Sequence, residues 1–327
     1  MNMEIAVFGA TFAVALVCAA IMGFAIQRGA TCTVAAVDEV IGKRSFHRLA
    51  GFAEAALWVA GGLLAARAIG VLPQLPPGYA PSVWTVAGGA MLGVGAWLNG
   101  ACVFGAIARL GSGEWAYAAT PLGYFVGCLS LPWLFGAPAP QRLESGSPVL
   151  ALPGLALWAF AGFVAWRLVA AWRGGAWRTW RERVWKPHAA TTVIGITFLV
   201  TFVLVGAWAY TDLLAAIARG MADNLLARIV LALALLAGAV WGGWTAGRFQ
   251  ARRVTVVQLL RCLAGGALMG WGTLLIPGSN DGLILIGMPL LWPYAWVAFG
   301  TMCLAIGLAQ LGLSHFDHGR AGAQAAS

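Results

Sequence analysis

Cysteine is the residue type with the most distinctive chemistry in this chain, and its six copies are widely scattered. They form no CxxC pair and no spacing typical of metal ligands, so we expect neither a disulfide framework nor a metal site, and no cofactor is predicted. No base directly adjoins Cys32 or Cys102 to activate a nucleophile, which argues against an enzyme. The six are Cys18, Cys32, Cys102, Cys128, Cys262 and Cys303.

Two interruptions divide glycine-rich apolar segments. One is Asn99-Gly100-Ala101-Cys102, and the other is Pro277-Gly278-Ser279-Asn280-Asp281. Glycine allows a sharp turn, proline cannot continue a hydrogen-bonded helix, and Asn280 and Asp281 are common N-cap residues. A short helix is therefore predicted to begin at each interruption, near 100–109 and 279–291.

A third interruption lies within residues 23–33, where Arg28 and Gly29 precede Cys32. Two interpretations stay open. Arg28 and Gly29 mark the cytoplasmic boundary of a first membrane span, or they precede another short helix, 31–42, which would point Cys32 toward Cys102.

The spacing of the interruptions predicts an anion site. An offset of 177 in residue number, here called the repeat offset, superposes Cys102 on Ser279, so two short helices would aim their N-termini at each other. Each N-terminus offers free N–H groups and about half a positive charge, which offsets part of the desolvation cost of a buried anion. The predicted binding residues are Cys32, Cys102, Ser279, Asn99, Gly100, Gly278 and Asn280.

Asp281 is the only formally charged side chain between Cys262 and His315. A carboxylate within the membrane indicates a functional site, although it also suits a helix cap. Capping, proton coupling and gating are all open interpretations, with Arg28 or Arg109 as a charge partner. Arg109 ends the short helix after Cys102, and its simplest role is to extend toward the membrane interface.

The composition indicates the setting in which these residues act. Of 327 residues, 61% are hydrophobic and 9% are charged, whereas soluble domains carry about 25% charge. A span needs roughly 20 apolar residues, and a bundle of about nine or ten spans is predicted. The apolar stretches are 4–26, 50–71, 83–98, 116–136, 149–171, 190–214, 226–247, 262–276 and 293–313. The first is predicted to be a retained helix, not a cleaved signal peptide.

The basic residues lie in loops between the spans, which excludes a nucleic-acid partner as the reason for the net charge of +9. Lys43, Arg44 and Arg48 form one group, and the segments 173–187 and 248–253 hold the others. The positive-inside rule places these loops in the cytoplasm. The N-terminus is then periplasmic and the C-terminus cytoplasmic. The tryptophan-containing basic loop is predicted to lie at the membrane interface.

An internal duplication organises the chain. At the repeat offset, residues 87–123 align without a gap to 264–300, with 13 identities in 37 positions. The charge rule gives the span at 83–98 and its copy at 262–276 opposite directions, which predicts inverted repeats. The domains are then 1–172, a basic cytoplasmic linker 173–189, and 190–327. The fold is predicted to be an all-α membrane bundle of two inverted repeats, with short re-entrant helices meeting at the midplane.

The segments QRGATC, GVGAWLNGACVFG and GGALMGWGTLLIPGSNDG resemble the signature regions of the YeeE/YedE family of thiosulfate transporters. The resemblance implies that thiosulfate passes between cysteines held by S–H···S hydrogen bonds, and Cys32 and Cys102 match two of them. A third cysteine is replaced here by Ser279, which is a harder donor than a thiol and implies an altered affinity or substrate. Cys303 is either a core residue or a further group near the path.

The resemblance implies uptake of thiosulfate or a related small anion across the bacterial inner membrane. Related transporters are often accompanied by a small TusA-like sulfur-carrier protein, which would dock on the basic loop 173–187. The alternatives are a small-anion channel of similar architecture, a membrane component that docks a sulfur carrier, and a duplicated bundle without transport. A thiol enzyme would need Cys32 and Cys102 to be linked by oxidation.

Overall fold

The computed structural model describes residues 2–134, 140–173, 181–221 and 224–325. This part of the chain is helical and contains no strand, only an isolated bridge between Tyr79 and Arg142. The prediction of an all-α bundle is confirmed. The helices are α1 (Asn2–Gly29), α2 (Thr33–Lys43), α3 (His47–Ala68), α4 (Val83–Asn99), α5 (Val103–Gly111), α6 (Ala119–Leu134), α7 (Leu155–Arg173), α8 (Pro187–Val205), α9 (Tyr210–Ala218), α10 (Leu225–Thr245), α11 (Val256–Leu275), α12 (Asn280–Gly282) and α13 (Pro293–Ala325).

Seven helical segments of the described chain are long and apolar enough to cross a membrane, or eight if the bent pair α11 and α12 is one span. Nine or ten spans were predicted. Helix α6 accounts for part of the difference, because it has 16 residues and a short 3-10 turn before it. Helix α12 continues as a π-helical segment, Leu283–Gly287, and bends from α11 by 52°.

One predicted span is interrupted. The stretch 190–214 was expected to be a single helix, but α8 ends at Val205 and the short helix α9 begins at Tyr210. Gly206 has a φ of 87°, a conformation that a residue with a side chain rarely adopts, and it ends α8. The surrounding residues are apolar, so the hydropathy pattern gave no sign of this break.

The two halves share one order of helices. The repeat offset carries α2 onto α9, α3 onto α10, α4 onto α11, and α5 onto α12 with its π-helical extension. It also places α1 over α8 and α6 over α13. In the described chain, α7 has no counterpart, and its side chains are largely exposed, with Trp158 at 76%. Helix α7 is therefore a connecting element between two similar halves.

Glycines of α4 and α11 make close contacts with each other's backbone, and these contacts are reciprocal. A Cβ atom built on Gly95 would lie 2.7 Å from the carbonyl oxygen of Gly265, and one on Gly265 would lie 2.6 Å from that of Gly95. Gly272 and Gly88, which correspond to Gly95 and Gly265 at the repeat offset, show the same reciprocal contacts at 2.6 and 2.7 Å. Contacts that exchange in this way are typical of a two-fold relation. Helices α4 and α11 cross antiparallel with their backbones touching.

The predicted basic linker, 173–189, is described in part, and residues 174–180 lie outside the described chain. Trp185 was expected at the membrane interface, yet it is buried with its ring 5.6 Å from that of Phe24. Its backbone N–H donates a hydrogen bond to the Arg28 carbonyl oxygen at 3.0 Å. This end of the linker is thus fixed against the end of α1.

Candidate functional site

Four short helices begin close to one another in the interior. The residues that precede α2, α5, α9 and α12 are Cys32, Cys102, Ala209 and Ser279, and each has an extended backbone conformation. They form two pairs at the repeat offset, Cys32 with Ala209 and Cys102 with Ser279. A short helix after Cys32 was one of two open interpretations, and the structure has it. The N-terminus of α9 adds a fourth.

The two cysteines contact each other's backbone across α2 and α5. The Thr33 N–H donates to Cys102 Sγ at 3.1 Å, and the Cys102 N–H donates to Cys32 Sγ at 3.4 Å. Each sulfur therefore accepts one of the N–H groups that a helix N-terminus leaves free.

Further hydrogen bonds close these four N-termini into a ring. The Thr33 hydroxyl donates to Asn280 Oδ1 at 3.3 Å, and the Tyr210 hydroxyl donates to the Val103 carbonyl oxygen at 2.9 Å. These two bonds join positions that correspond at the repeat offset. Between α9 and α12, the hydroxyls of Thr211 and Ser279 lie 2.6 Å apart. We call this set of four N-termini the polar ring.

The polar ring is buried and contains an unpaired donor. Cys102, Ser279 and Asn280 are 0% exposed, and Cys32 is 8% exposed. The amide nitrogen of Asn280 has no hydrogen-bond partner in the part of the chain that the structure describes, although a buried polar group left unpaired costs about 1–3 kcal/mol. An unpaired N–H₂ beside several helix N-termini suits a ligand that accepts hydrogen bonds, and an anion is such a ligand.

The two sides of the polar ring differ chemically. Helices α2 and α5 contribute the thiols of Cys32 and Cys102. Helices α9 and α12 contribute hydroxyls and a carboxyl, because Asp281 Oδ1 accepts hydrogen bonds from Thr211 at 2.5 Å, from the Gly282 N–H at 3.1 Å and from the Ser279 hydroxyl. The Ser279 side chain is thus held by Asp281 and Thr211.

Asn99 and Gly100 shape the turn before Cys102. The Asn99 side chain donates to the Ala101 carbonyl oxygen at 2.7 Å and accepts from the Thr120 hydroxyl at 2.8 Å, so both ends of its amide are used within the protein. Gly100 has a φ of 74° and ends α4. These two residues position Cys102, and their place in ligand binding stays a prediction.

The two arginines expected near Asp281 have other partners. Arg28 donates to the Glu182 carbonyl oxygen at 2.7 Å and to the Thr245 hydroxyl at 2.9 Å. Arg109 pairs with Glu114 at 3.2 Å and lies over the ring of Tyr117. None of these contacts involves Asp281. Both guanidinium groups reach polar groups near the helix ends.

Two cavities, here called vestibules, lie along the short helices on either side of the polar ring. The α9 vestibule, a cavity of about 440 Å³, is lined by Asp212, Arg219, Arg228 and Gly278, and a smaller one of about 200 Å³ beside it also touches Ala209 and Gly282. The α2 vestibule, of about 820 Å³, is lined by Ala35, Asp38, Glu39, Lys43, His47, Arg48, Lys186 and His188. Lining positions of the two vestibules correspond at the repeat offset. Residues 35, 38, 39 and 42 of the α2 vestibule match residues 212, 215, 216 and 219 of the α9 vestibule.

Sequence reasoning offered a short helix after Cys32 as one of two interpretations, but it missed Thr33 on α2 and the whole contribution of α9 to the polar ring. Thr33, Tyr210 and Thr211 supply its hydrogen bonds, and Asp212 lines its vestibule. The signal that could have found them is the repeat offset, because Tyr210 occupies the position in the second repeat that Thr33 occupies in the first. Cys303 packs at the edge of the core on α13. Within the described residues no cluster of three His, Cys, Asp or Glu side chains could hold a metal.

The fold defines a multi-pass membrane protein in which four short helices begin at one buried polar cluster. Residues 28–308, which include all four short helices, match the family described as sulphur transport, and the chain belongs to that family. The role of the protein is therefore sulfur transport. A comparison with curated proteins finds no match.

Proposed function

We propose that the protein takes up thiosulfate, or a closely related small sulfur-containing anion, through the polar ring. The observation that carries the proposal is the unpaired amide of Asn280 in the same buried ring as the thiols of Cys32 and Cys102. The sulphur-transport family supports the coarser role. The substrate and the path are inferred from the chemistry of the ring.

The polar ring favours an anion because all its helix ends are N-termini. Three of the short helices have nine to eleven residues, and each carries about half a positive charge at its N-terminus. An anion in the ring would gain from this field and from the Asn280 amide. Charge-assisted hydrogen bonds of this kind contribute about 1.5–3 kcal/mol each.

The thiols favour an anion with a terminal sulfur atom. A thiol is a weak, polarisable donor and suits a soft sulfur, while hydroxyl and amide groups suit oxygen. Thiosulfate carries both kinds of end, and the ring offers thiols on one side and hydroxyls on the other. Ser279 gives the second side its harder character in this chain.

We place the protein in a bacterial inner membrane with the α2 vestibule facing the cytoplasm. Lys43, Arg48 and Lys186 line that vestibule, and the positive-inside rule puts such residues inside. The two halves are then inverted, as the antiparallel crossing of α4 and α11 favours, with the N-terminus periplasmic. A TusA-like carrier would dock beside this vestibule, on the basic segment that includes Arg181 and Arg183.

The buried ring favours a transporter over an open channel, because Cys102 and Ser279 are closed off from both vestibules. A solute can pass only if the ring opens to one side at a time or loosens around it. Saturable uptake is therefore expected. Continuous conductance of anions would identify the protein as a channel.

Labelled thiosulfate uptake, together with growth on thiosulfate as the sole sulfur source, tests the proposal. Cys102→Ala should abolish both while the protein stays in the membrane. Cys128→Ala is the matched control, because Cys128 is also fully buried but lies in α6, with its thiol directed at the Gly270 carbonyl oxygen. Unchanged uptake in Cys102→Ala, or an equal loss in both variants, would contradict a thiol-lined path.

A further inference from the structure

The carboxyl group of Asp281 lies in the polar ring with no positive partner among the described residues. Its Oδ1 is surrounded by the hydroxyls of Thr211 and Ser279 and by the Gly282 N–H. Both hydroxyl residues are 0% exposed and Asp281 is 3% exposed. All three donors are neutral groups, so they orient the carboxyl without cancelling a charge on it.

The ion pairs found among the described residues involve other acids, namely Glu39, Glu54 and Glu114. Arg28 and Arg109 bind elsewhere. A buried charge is normally paired with an opposite charge. For Asp281, a proton is the neutralising partner that the surroundings leave available.

A second carboxyl connects Asp281 to water. Asp212 Oδ2 lies 3.9 Å from the position of a Cβ atom built on Gly282, the residue that follows Asp281. Asp212 is half-buried and lines the α9 vestibule together with Gly278 and Arg228. Asp212 therefore lies beside both the vestibule and the start of α12, where a carboxyl can pass a proton inward.

The residue before Asp281 supplies an independent indication of a ligand. The Asn280 amide nitrogen is fully buried and, within the described chain, unpaired, so an anion that binds it would lie next to the Asp281 carboxyl. A bound anion and an ionised Asp281 carboxylate in one small site of low dielectric would repel each other. A protonated Asp281 would remove that repulsion and could also donate to an oxygen of the anion.

Other titratable and charged groups face the two carboxyls from every helix packed against them. They are Tyr210 on α9 and Arg219 at its end, Tyr124 and Cys128 on α6, Arg228 on α10 and Tyr294 on α13. The two arginines lie on the side of Asp212 and the vestibule, not on that of the three donors to Asp281. Asp212 is thus the carboxyl that exchanges protons with the vestibule, and Asp281 is the one beside the anion.

We propose that Asp212 and Asp281 form a proton-binding site, and that one proton enters it together with each anion. This inference rests on the proposed uptake of a thiosulfate-like anion. The proton comes from water in the α9 vestibule and leaves with the anion on the opposite side. Uptake is then driven by an inward proton gradient.

Purified protein in liposomes tests the inference, with labelled thiosulfate outside and the membrane potential held at zero by potassium and valinomycin. With one proton per anion, each pH unit of acid outside should raise the steady-state accumulation about tenfold. Asp281→Asn, which keeps the shape of the side chain, should lose this dependence. Asp38→Asn is the control, because Asp38 lines the α2 vestibule and not the α9 vestibule. This variant should keep the dependence of thiosulfate accumulation on the external pH.

A second measurement does not depend on transport. At alkaline pH, where the ligand-free carboxyls have released their protons, addition of thiosulfate to the wild type in weakly buffered detergent should withdraw about one proton per bound anion from solution. Asp212→Asn should reduce this proton uptake, and it serves as the test variant if Asp281→Asn does not fold. Binding or accumulation by the wild type without proton uptake would overturn the inference and leave the proposed function intact. Absence of any saturable thiosulfate binding or flux would instead overturn the proposed function, and this inference with it.

Discussion

Replacement of Asn280 by leucine separates a role in ligand binding from a role in folding. Among the described residues, Asn280 makes one side-chain hydrogen bond, from Thr33 at 3.3 Å, and its amide nitrogen is buried and unpaired. Leucine has the same branched arrangement of side-chain heavy atoms and no polar atoms. The change therefore removes one bond and one unpaired group at the same time.

The magnitudes of these two effects nearly cancel in the ligand-free protein. Loss of the Thr33 bond leaves a fully buried hydroxyl without its acceptor and costs about 1–3 kcal/mol, and relief of the unpaired amide returns about 1–3 kcal/mol. We expect the free energy of unfolding without ligand to be nearly unchanged. Binding of the anion, in contrast, should lose a charge-assisted hydrogen bond of about 2 kcal/mol, which is roughly a 30-fold increase in Kd.

Thermal unfolding in detergent with and without thiosulfate, combined with titration calorimetry, measures both quantities. At a thiosulfate concentration of about 100 times its Kd, the wild type should gain about 2.7 kcal/mol of stability. At the same concentration, Asn280→Leu should gain only about 0.9 kcal/mol, because its Kd is about 30-fold higher.

Asn99→Leu is the matched control, because both ends of the Asn99 amide are already bonded inside the protein. The Asn99→Leu substitution should destabilise the ligand-free protein by about 2–3 kcal/mol, because it breaks two hydrogen bonds. The reasoning would be refuted if Asn280→Leu behaved like this control, with a large loss of stability and an unchanged Kd.

Two further predictions follow from the ring and from the glycine contacts. Ser279→Cys gives the second side of the ring a softer donor, so competition assays should show tighter binding of thiosulfate relative to sulfate, and an unchanged ratio would contradict a role for position 279 in selectivity. Gly272→Ala should lower the free energy of unfolding by about 1–3 kcal/mol through overpacking, because a Cβ atom there would lie 2.6 Å from the Gly88 carbonyl oxygen. Gly300→Ala, with no atom within 4 Å, should be neutral or stabilising, and equal thermal shifts in the two variants would contradict the close crossing of α4 and α11.

Local signals in the sequence were enough to predict most helices and two of the four interruptions, and they left the interruption before Cys32 open between two interpretations. Glycine at a positive φ, as at Gly100, and a proline such as Pro277 act on the backbone within a few residues, so their effect is visible without the fold. The same applies to hydropathy, which depends only on composition along a segment. The fourth interruption, after Gly206, was missed because the residues around it are as apolar as a span.

The duplication was also a property of the sequence, because the repeat offset is read directly from matching residues. That register holds for the helices of both halves, including α9, which no local signal predicted. It even specifies which contacts should recur, since the bond from Thr33 to Asn280 has its counterpart in the bond from Tyr210 to Val103.

The partners of individual side chains were decided only by the tertiary structure. Arg28 or Arg109 was expected beside Asp281 because charges within a membrane need partners, but Arg28 binds the backbone carbonyl oxygen of Glu182 and Arg109 pairs with the Glu114 carboxylate. Thr211 reaches Asp281 from a helix 70 residues away in the chain. Hydrogen bonds depend on distances of about 3 Å, and such distances between remote segments are set by how whole helices pack, which spacing along the chain does not determine.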